Sequence, residues 1–279
     1  MKLEYNKLFT DFALLDKEKG KREEKIHFKN KIWEQKIILS PTVGCNKKDV
    51  YFNLKIKETL YFKEDLKQEL SSLLSSCLSY ILRSYNYKMG DLVMVIGLGN
   101  QGMIADSLGG RTLEELNITS HLIRRRININ AGNLCGLGSS VSGVTGIESY
   151  DIIRGVVDRI KPKIIIAVDT LACSDLEKFQ KVIQINNTGI EPGGGINNPK
   201  KKLSFATLSI PVIAIGVPLV IYTKDIIRQF LKENVDIAIK KKVSQAFTSL
   251  VVTSKEIDIV VDDFSKVIAS AINTCCSKV

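Results

Sequence analysis

Three uninterrupted apolar runs, LVMVI at 92–96, IIIAV at 164–168 and VIAIGV at 212–217, constrain the fold of this chain more than any other feature. Each has the length of a strand, and none alternates with polar residues, so neither face of these strands meets water. Strands buried on both faces need helices on both sides of their sheet. Helical patterns at 113–116 and 147–160 lie between the runs and supply them. The chain therefore reads as α/β, a mostly parallel, twisted sheet with helices on both faces. Alternating stretches at 32–39 and 50–56, joined by a turn at 41–46, add extra N-terminal β-strands. Leu66, Leu70, Leu73, Leu74, Cys77, Leu78 and Ile81 recur at helical spacing and predict a long helix over 64–83. Two further helical periods, 236–250 and 257–272, close the chain. Residues 1–30 are charged and without periodicity and read as an exposed arm, which leaves 31–279 as a single domain.

A net charge of +10 raises the question of nucleic acid. The basic runs at 124–126, 200–202 and 240–242 are separated and carry no interleaved aromatics, so they read as a lysine-rich solvated surface, and no direct nucleic-acid binding is expected. No run approaches the ~18 apolar residues of a membrane span, and the first residues do not open a signal peptide. The expectation is a soluble, cytoplasmic protein. The six cysteines include no C-x-x-C pair, and the two histidines, His27 and His121, stand apart from them. Neither a zinc site nor histidine catalysis follows, and no metal or cofactor is expected.

Gly97-Leu98-Gly99-Asn100-Gln101-Gly102 matches the G-x-G-x-x-G of a dinucleotide-binding turn. Such a turn must open a helix at once, because the free N–H groups of that helix hold the pyrophosphate. Here Gly109 and Gly110 would fall inside the helix, whereas Thr112 with Glu115 forms a capping box and predicts a helix starting there. Residues 97–111 then form a long loop. No acid stands near 117–123 to bind a ribose, so a nicotinamide cofactor would need Arg124 to Arg126 as phosphate partners instead. What the loop does hold is Asp106. Asp169 directly follows the 164–168 run, so both acids are expected at carboxyl ends of strands, the rim where open α/β sheets bind ligands. Two carboxylates there can share a proton and activate water toward a carbonyl, or they can bind a metal. Glu148 opens the helix that runs to residue 160, and the glycine-rich stretch 187–195 reads as a flexible surface loop.

The ordered set Ile96-Gly-Leu-Gly-Asn100, Ala105-Asp-Ser-Leu-Gly109, Gly143-Val-Thr-Gly-Ile-Glu148, Ile166-Ala-Val-Asp-Thr-Leu-Ala172, Asn187-Thr-Gly-Ile-Glu-Pro-Gly193 and Ile210-Pro-Val-Ile-Ala-Ile-Gly-Val-Pro218 resembles the spore germination protease family. The resemblance implies an atypical, metal-independent aspartic endopeptidase with Asp106 and Asp169 as its essential pair, on a phosphorylase/hydrolase-like fold shared with hydrogenase-maturation proteases. Gly97, Gly99, Asn100 and Glu148 become accessory or substrate-binding positions. The implied substrates are small acid-soluble spore proteins, degraded in the forespore or spore core during germination, and the implied assembly is a homo-oligomer, a tetramer. The family is made as a zymogen, and Thr10-Asp11-Phe12-Ala13 resembles its processing motif, with residues 1–11 as pro-segment and the cut between Asp11 and Phe12. The chain departs from the family at Phe9, where an Arg is usual, and at Ala105 and Gly110, where prolines are usual. A metal-dependent endopeptidase of the hydrogenase-maturation type and a catalytically silent binding protein on the same fold are the alternatives.

Overall fold

The computed structural model describes residues 23–29, 33–41, 48–58, 60, 61, 63–139, 141–192, 201–230, 242, 245–247 and 250–277. The strands are β1 (Glu23–Lys29), β2 (Trp33–Pro41), β3 (Lys48–Ile56), β4 (Leu92–Gly97), β5 (Asn133–Gly138), β6 (Ile164–Cys173), β7 (Val182–Asn186), β8 (Val212–Tyr222) and β9 (Val251–Val252). They form one sheet in the order β1-β2-β3-β7-β8-β6-β4-β5, with β9 pairing the end of β8. The apolar runs are its centre: β6 pairs β4 and β8 in parallel, and β5 extends the parallel set beyond β4. Toward the N-terminal side the pairing turns antiparallel, from β8 through β7, β3 and β2 to β1.

Pleating sorts the side chains of the central strands onto two cores. Val93, Val95, Ile164, Ile166, Val168, Ile213, Ile215 and Val217 face helices α1 (Glu64–Ser84), α2 (Leu108–Glu114) and α8 (Ile257–Ser277). Met94, Ile96, Ile165, Ala167, Val212 and Ala214 face the other way, onto Ile153 and Val157 of α5 (Ser149–Ile160). Both faces are therefore covered, as the continuous apolar runs require. The remaining helices are short: α3 (Ser120–Arg124), α4 (Ser142–Thr145), α6 (Phe205–Leu208) and α7 (Thr223–Phe230). Helix α1 is the predicted 64–83 helix. Its stripe Leu66, Leu70, Leu74, Leu78 and Ile81 is buried, and Glu64 and Asp65 in the first turn oppose the helix dipole correctly. It packs along α8, and a partly buried ion pair, Lys67 Nζ to Asp263 Oδ1 at 2.5 Å, ties the two together.

The structure departs from expectation at several elements. Residues 23–29, assigned to an exposed arm, pair with β2 as β1; the rest of 1–30 lies outside the described residues, as do residues 42–46 of the expected 41–46 turn and most of the 236–250 helix. Strands β5 and β7 were not expected at all. Helix α2 begins at Leu108 and not at Thr112, whose hydroxyl instead donates to Leu108 O inside the helix at 2.8 Å. Tertiary packing overrides the capping-box signal there, as the site geometry shows. Residues 187–190 are also no flexible loop: Ile190 is fully buried and bridges to Leu203.

Candidate active site

The sheet has a step in it. Strands β4 and β5 stop together at Gly97 and Gly138, whereas β6, β8 and β7 continue past that level. Gly97 is the last partner of Val168, so Asp169 is the first residue of β6 to rise above the step. The sequence reading put Asp169 after the end of a strand. In fact β6 runs on to Cys173, because β8 accompanies it through Ile221, with one shift of register after Leu171, and takes up its backbone hydrogen bonds. The apolar run ends at Val168 where cover from β4 ends. Asp169 is 4% exposed, and its Oδ1 accepts the Thr170 N–H at 2.9 Å. Alternation puts its side chain on the α5 face, with Ile165 and Ala167.

Asp106 is brought to the same step by glycine. A Cβ at Gly97 would lie 2.4 Å from Gly109 O, and a Cβ at Gly109 would lie 2.4 Å from Leu98 N and 2.6 Å from Val168 O. Only glycine at both positions lets the first turn of α2 rest on the backbone of β4 and β6. Leu98 N–H donates to Val168 O at 2.9 Å on the strand side of that contact. The short 3₁₀ turn Ile104–Asp106 then precedes α2 and packs on β6 and β8. Within the loop, Asp106 N–H donates to Met103 O at 2.8 Å, and Asp106 Oδ2 accepts the Asn100 N–H at 2.8 Å. Gly99, at φ +100°, makes the closure fit, since a Cβ there would lie 2.1 Å from Asp106 O. Asn100 Oδ1 accepts the Gly102 N–H at 3.0 Å and holds the intervening turn.

Gly97, Gly99 and Asn100 thus shape the loop that carries Asp106. Glu148 stands apart in role: it is exposed at the head of α5, where its carbonyl accepts the N–H groups of Asp151 and Ile152. Asp11 and Phe12 lie outside the described residues. Arg124 to Arg126 are exposed on and after α3, as is His121. Among the described residues no three His, Cys, Asp or Glu side chains converge as a metal site would require, and no helix is long and apolar enough to cross a membrane. Burial pushes the Cys77 and Cys173 thiols up to about 12, so neither offers a thiolate near neutrality. Two polar side chains at the step, Ser139 and Gln184, carried no signal in the sequence; each is recognisable only from a buried atom without a partner.

The glycine-shaped loop that carries Asp106 is not a nucleotide-binding turn, because α2 begins nine residues beyond Gly99. Comparison with known proteins agrees. Residues 23–241 match the family model described as germination protease, a span that includes Asp106 and Asp169. The germination protease of Clostridium acetobutylicum is 36% identical over 255 residues, 81% of this chain and 78% of that protein. That of Clostridium tetani is 34% identical, covering 80% and 77%, and that of Oceanobacillus iheyensis is 39% identical over 175 residues, covering 60% and 48%. The chain is a protease. More narrowly, it belongs to the germination protease family.

Proposed function

We propose that the chain is an aspartate-dependent endopeptidase that degrades small acid-soluble spore proteins in the spore core during germination, with Asp106 and Asp169 acting on a water molecule. What supports this reading is that both acids flank one step of the sheet, Asp169 as the first residue of β6 past the end of β4 and Asp106 in the loop that leaves β4. Two carboxylates in such a site share a proton. The ionised member takes a proton from water as the oxygen attacks the scissile carbonyl. The protonated member first hydrogen-bonds the developing oxyanion; as the C–N bond breaks, a proton passes to the departing amine. The products are a free carboxyl and a free amino terminus, and the dyad returns to its single shared proton.

In the same reading the enzyme is a homo-oligomer, a tetramer, and releases residues 1–11 by cutting between Asp11 and Phe12. The test is cleavage of a peptide containing Glu-Phe-Ala-Ser. Asp106→Asn and Asp169→Asn are each expected to lower kcat at least 10³-fold, roughly the loss on removing one member of a catalytic pair, with the circular dichroism spectrum unchanged. EDTA is expected to leave the wild-type rate unaltered. Full activity in either variant refutes the dyad, and loss of activity in EDTA that added Zn²⁺ restores transfers the reading to a metal-dependent endopeptidase.

A further inference from the structure

Asp169 belongs to a row that crosses three strands. Register pairs Asp169 of β6 with Gly216 of β8, and Gly216 with Gln184 of β7. All three lie on one face: Ile183 and Ile185 alternate with Gln184 into the opposite core, as Ile213, Ile215 and Val217 do with Gly216. Two strand spacings put the Cα atoms of Asp169 and Gln184 about 10 Å apart. The place of the missing Gly216 side chain is taken by Leu171, whose side-chain carbons would lie 2.6 to 2.8 Å from a Cβ there. The row is therefore a leucine flanked by two polar groups.

Gln184 is 5% exposed, yet its Oε1 has no hydrogen-bond partner. A buried acceptor left unpaired opposes folding, and a methionine of the same length would fill the position without that cost. Ser139 Oγ and Thr170 Oγ1 are buried and unpaired at the same step, one closing β5 beside Gly97, the other next to Asp169. Three of the six such atoms among the described residues thus belong to β6, β7 and the end of β5 at the level of the step, Thr170 on the opposite face of β6 from Asp169. Folding does not account for that distribution. A peptide does, because an extended backbone presents a donor or acceptor every ~3.3 Å along its length.

We propose that Gln184 is a substrate-binding residue whose amide oxygen accepts a backbone N–H of the peptide that presents its scissile bond to Asp169. The assignment rests on the aspartate-dyad reading for where that bond sits. Two measurements test it. In an Asp169→Asn background, a fluorescein-labelled peptide containing Glu-Phe-Ala-Ser is titrated by anisotropy with and without Gln184→Met; the double variant is expected to bind about tenfold more weakly while melting at the same or a higher temperature. In the otherwise wild-type chain, Gln184→Met is expected to raise KM about tenfold with kcat within twofold. Affinity and KM both within twofold of their controls, or losses that come with a lowered Tm, overturn the proposal. If Asp169→Asn still cleaves the peptide, the dyad reading falls, and the KM comparison still decides for or against Gln184.

Discussion

Gly109→Ala reverses the usual sign of a glycine-to-alanine change in a helix. In a helix interior the substitution normally gains about 1 kcal/mol. At Gly109 the new methyl would lie 2.4 Å from Leu98 N, 2.5 Å from Leu98 O and 2.6 Å from Val168 O, all backbone atoms that no rotamer change can move. Relief requires α2 to lift off β4 and β6. Overpacking of this kind costs about 1–3 kcal/mol, and more where backbone must shift, so a net loss of about 1–2 kcal/mol follows; at about 2–4 °C per kcal/mol for a domain of this size, Tm falls by about 2–8 °C. Two controls bracket it. A Cβ at Gly155 in α5 meets nothing within 4 Å, so Gly155→Ala is expected to raise Tm by about 2–4 °C. The three atoms nearest a Cβ at Gly110 all belong to the Gln101 side chain, which a rotamer change can move, so Gly110→Ala is expected to fall between the other two. Differential scanning calorimetry on the three variants gives the order Gly109→Ala, Gly110→Ala, Gly155→Ala from lowest to highest. Because Asp106 lies three residues before Gly109, lifting the helix also displaces the acid, and kcat/KM for peptide cleavage is expected to fall about 10–100-fold. A Gly109→Ala chain that melts with or above Gly155→Ala refutes the claim that α2 rests on the strand backbone.

Three other outcomes are expected. Mass spectrometry of the purified chain should find a new N-terminus at Phe12 after incubation, and Asp169→Asn should leave the terminus intact if the cut is self-made. Lys67→Met strands the carboxylate of Asp263, which is 3% exposed, and should cost about 3–5 kcal/mol in urea unfolding, whereas truncating the exposed Lys266 partner of Asp262 should cost under about 1 kcal/mol. Cys77 and Cys173 should resist Ellman's reagent in the native chain. Their thiols rise from an ordinary value of 9.0 to about 12 on folding, so their stabilising contribution is whole below pH 9 and drains away as pH rises toward 12. A denaturation midpoint flat across pH 8.5–11 would contradict it.

The parts of the fold legible in the sequence are those buried on two sides. Runs 92–96, 164–168 and 212–217 could be nothing but central strands, and α1 and α8 carried wide apolar stripes. Strand β5 escaped because it is an edge strand with two glycines and alternate exposure, and β7 because five residues, two of them Gln184 and Asn186, make too short a pattern. The upper halves of β6 and β8 were hidden by Asp169 and Pro218, residue types depleted in strands. At the site, position along the chain put Asp106 correctly in the loop after β4, but it put Asp169 beyond the end of a strand that in fact continues through it. The start of α2 was misplaced because Thr112 and Glu115 carry a strong local signal, while the reason for Gly109 is a contact with residues 98 and 168 that no local window contains. Gln184 was invisible for the same reason: its meaning lies in what its oxygen fails to touch.

The step in the sheet gives the two acids unequal mechanical footing. Asp169 is borne on a ten-residue strand whose partner β8 is distant in sequence, so moving it means shearing the central sheet. Asp106 is held by Asn100 and Met103 in a loop whose 3₁₀ turn packs on α8, β6 and β8 but is fixed by no strand pairing. Amide exchange should register this as two tiers, the Asp169 N–H opening with the whole domain and the Asp106 N–H by local release. The site is then a fixed anvil with an adjustable hammer. Any signal that alters the distance between the two acids has a cheap lever in residues 98–107 and an expensive one everywhere else.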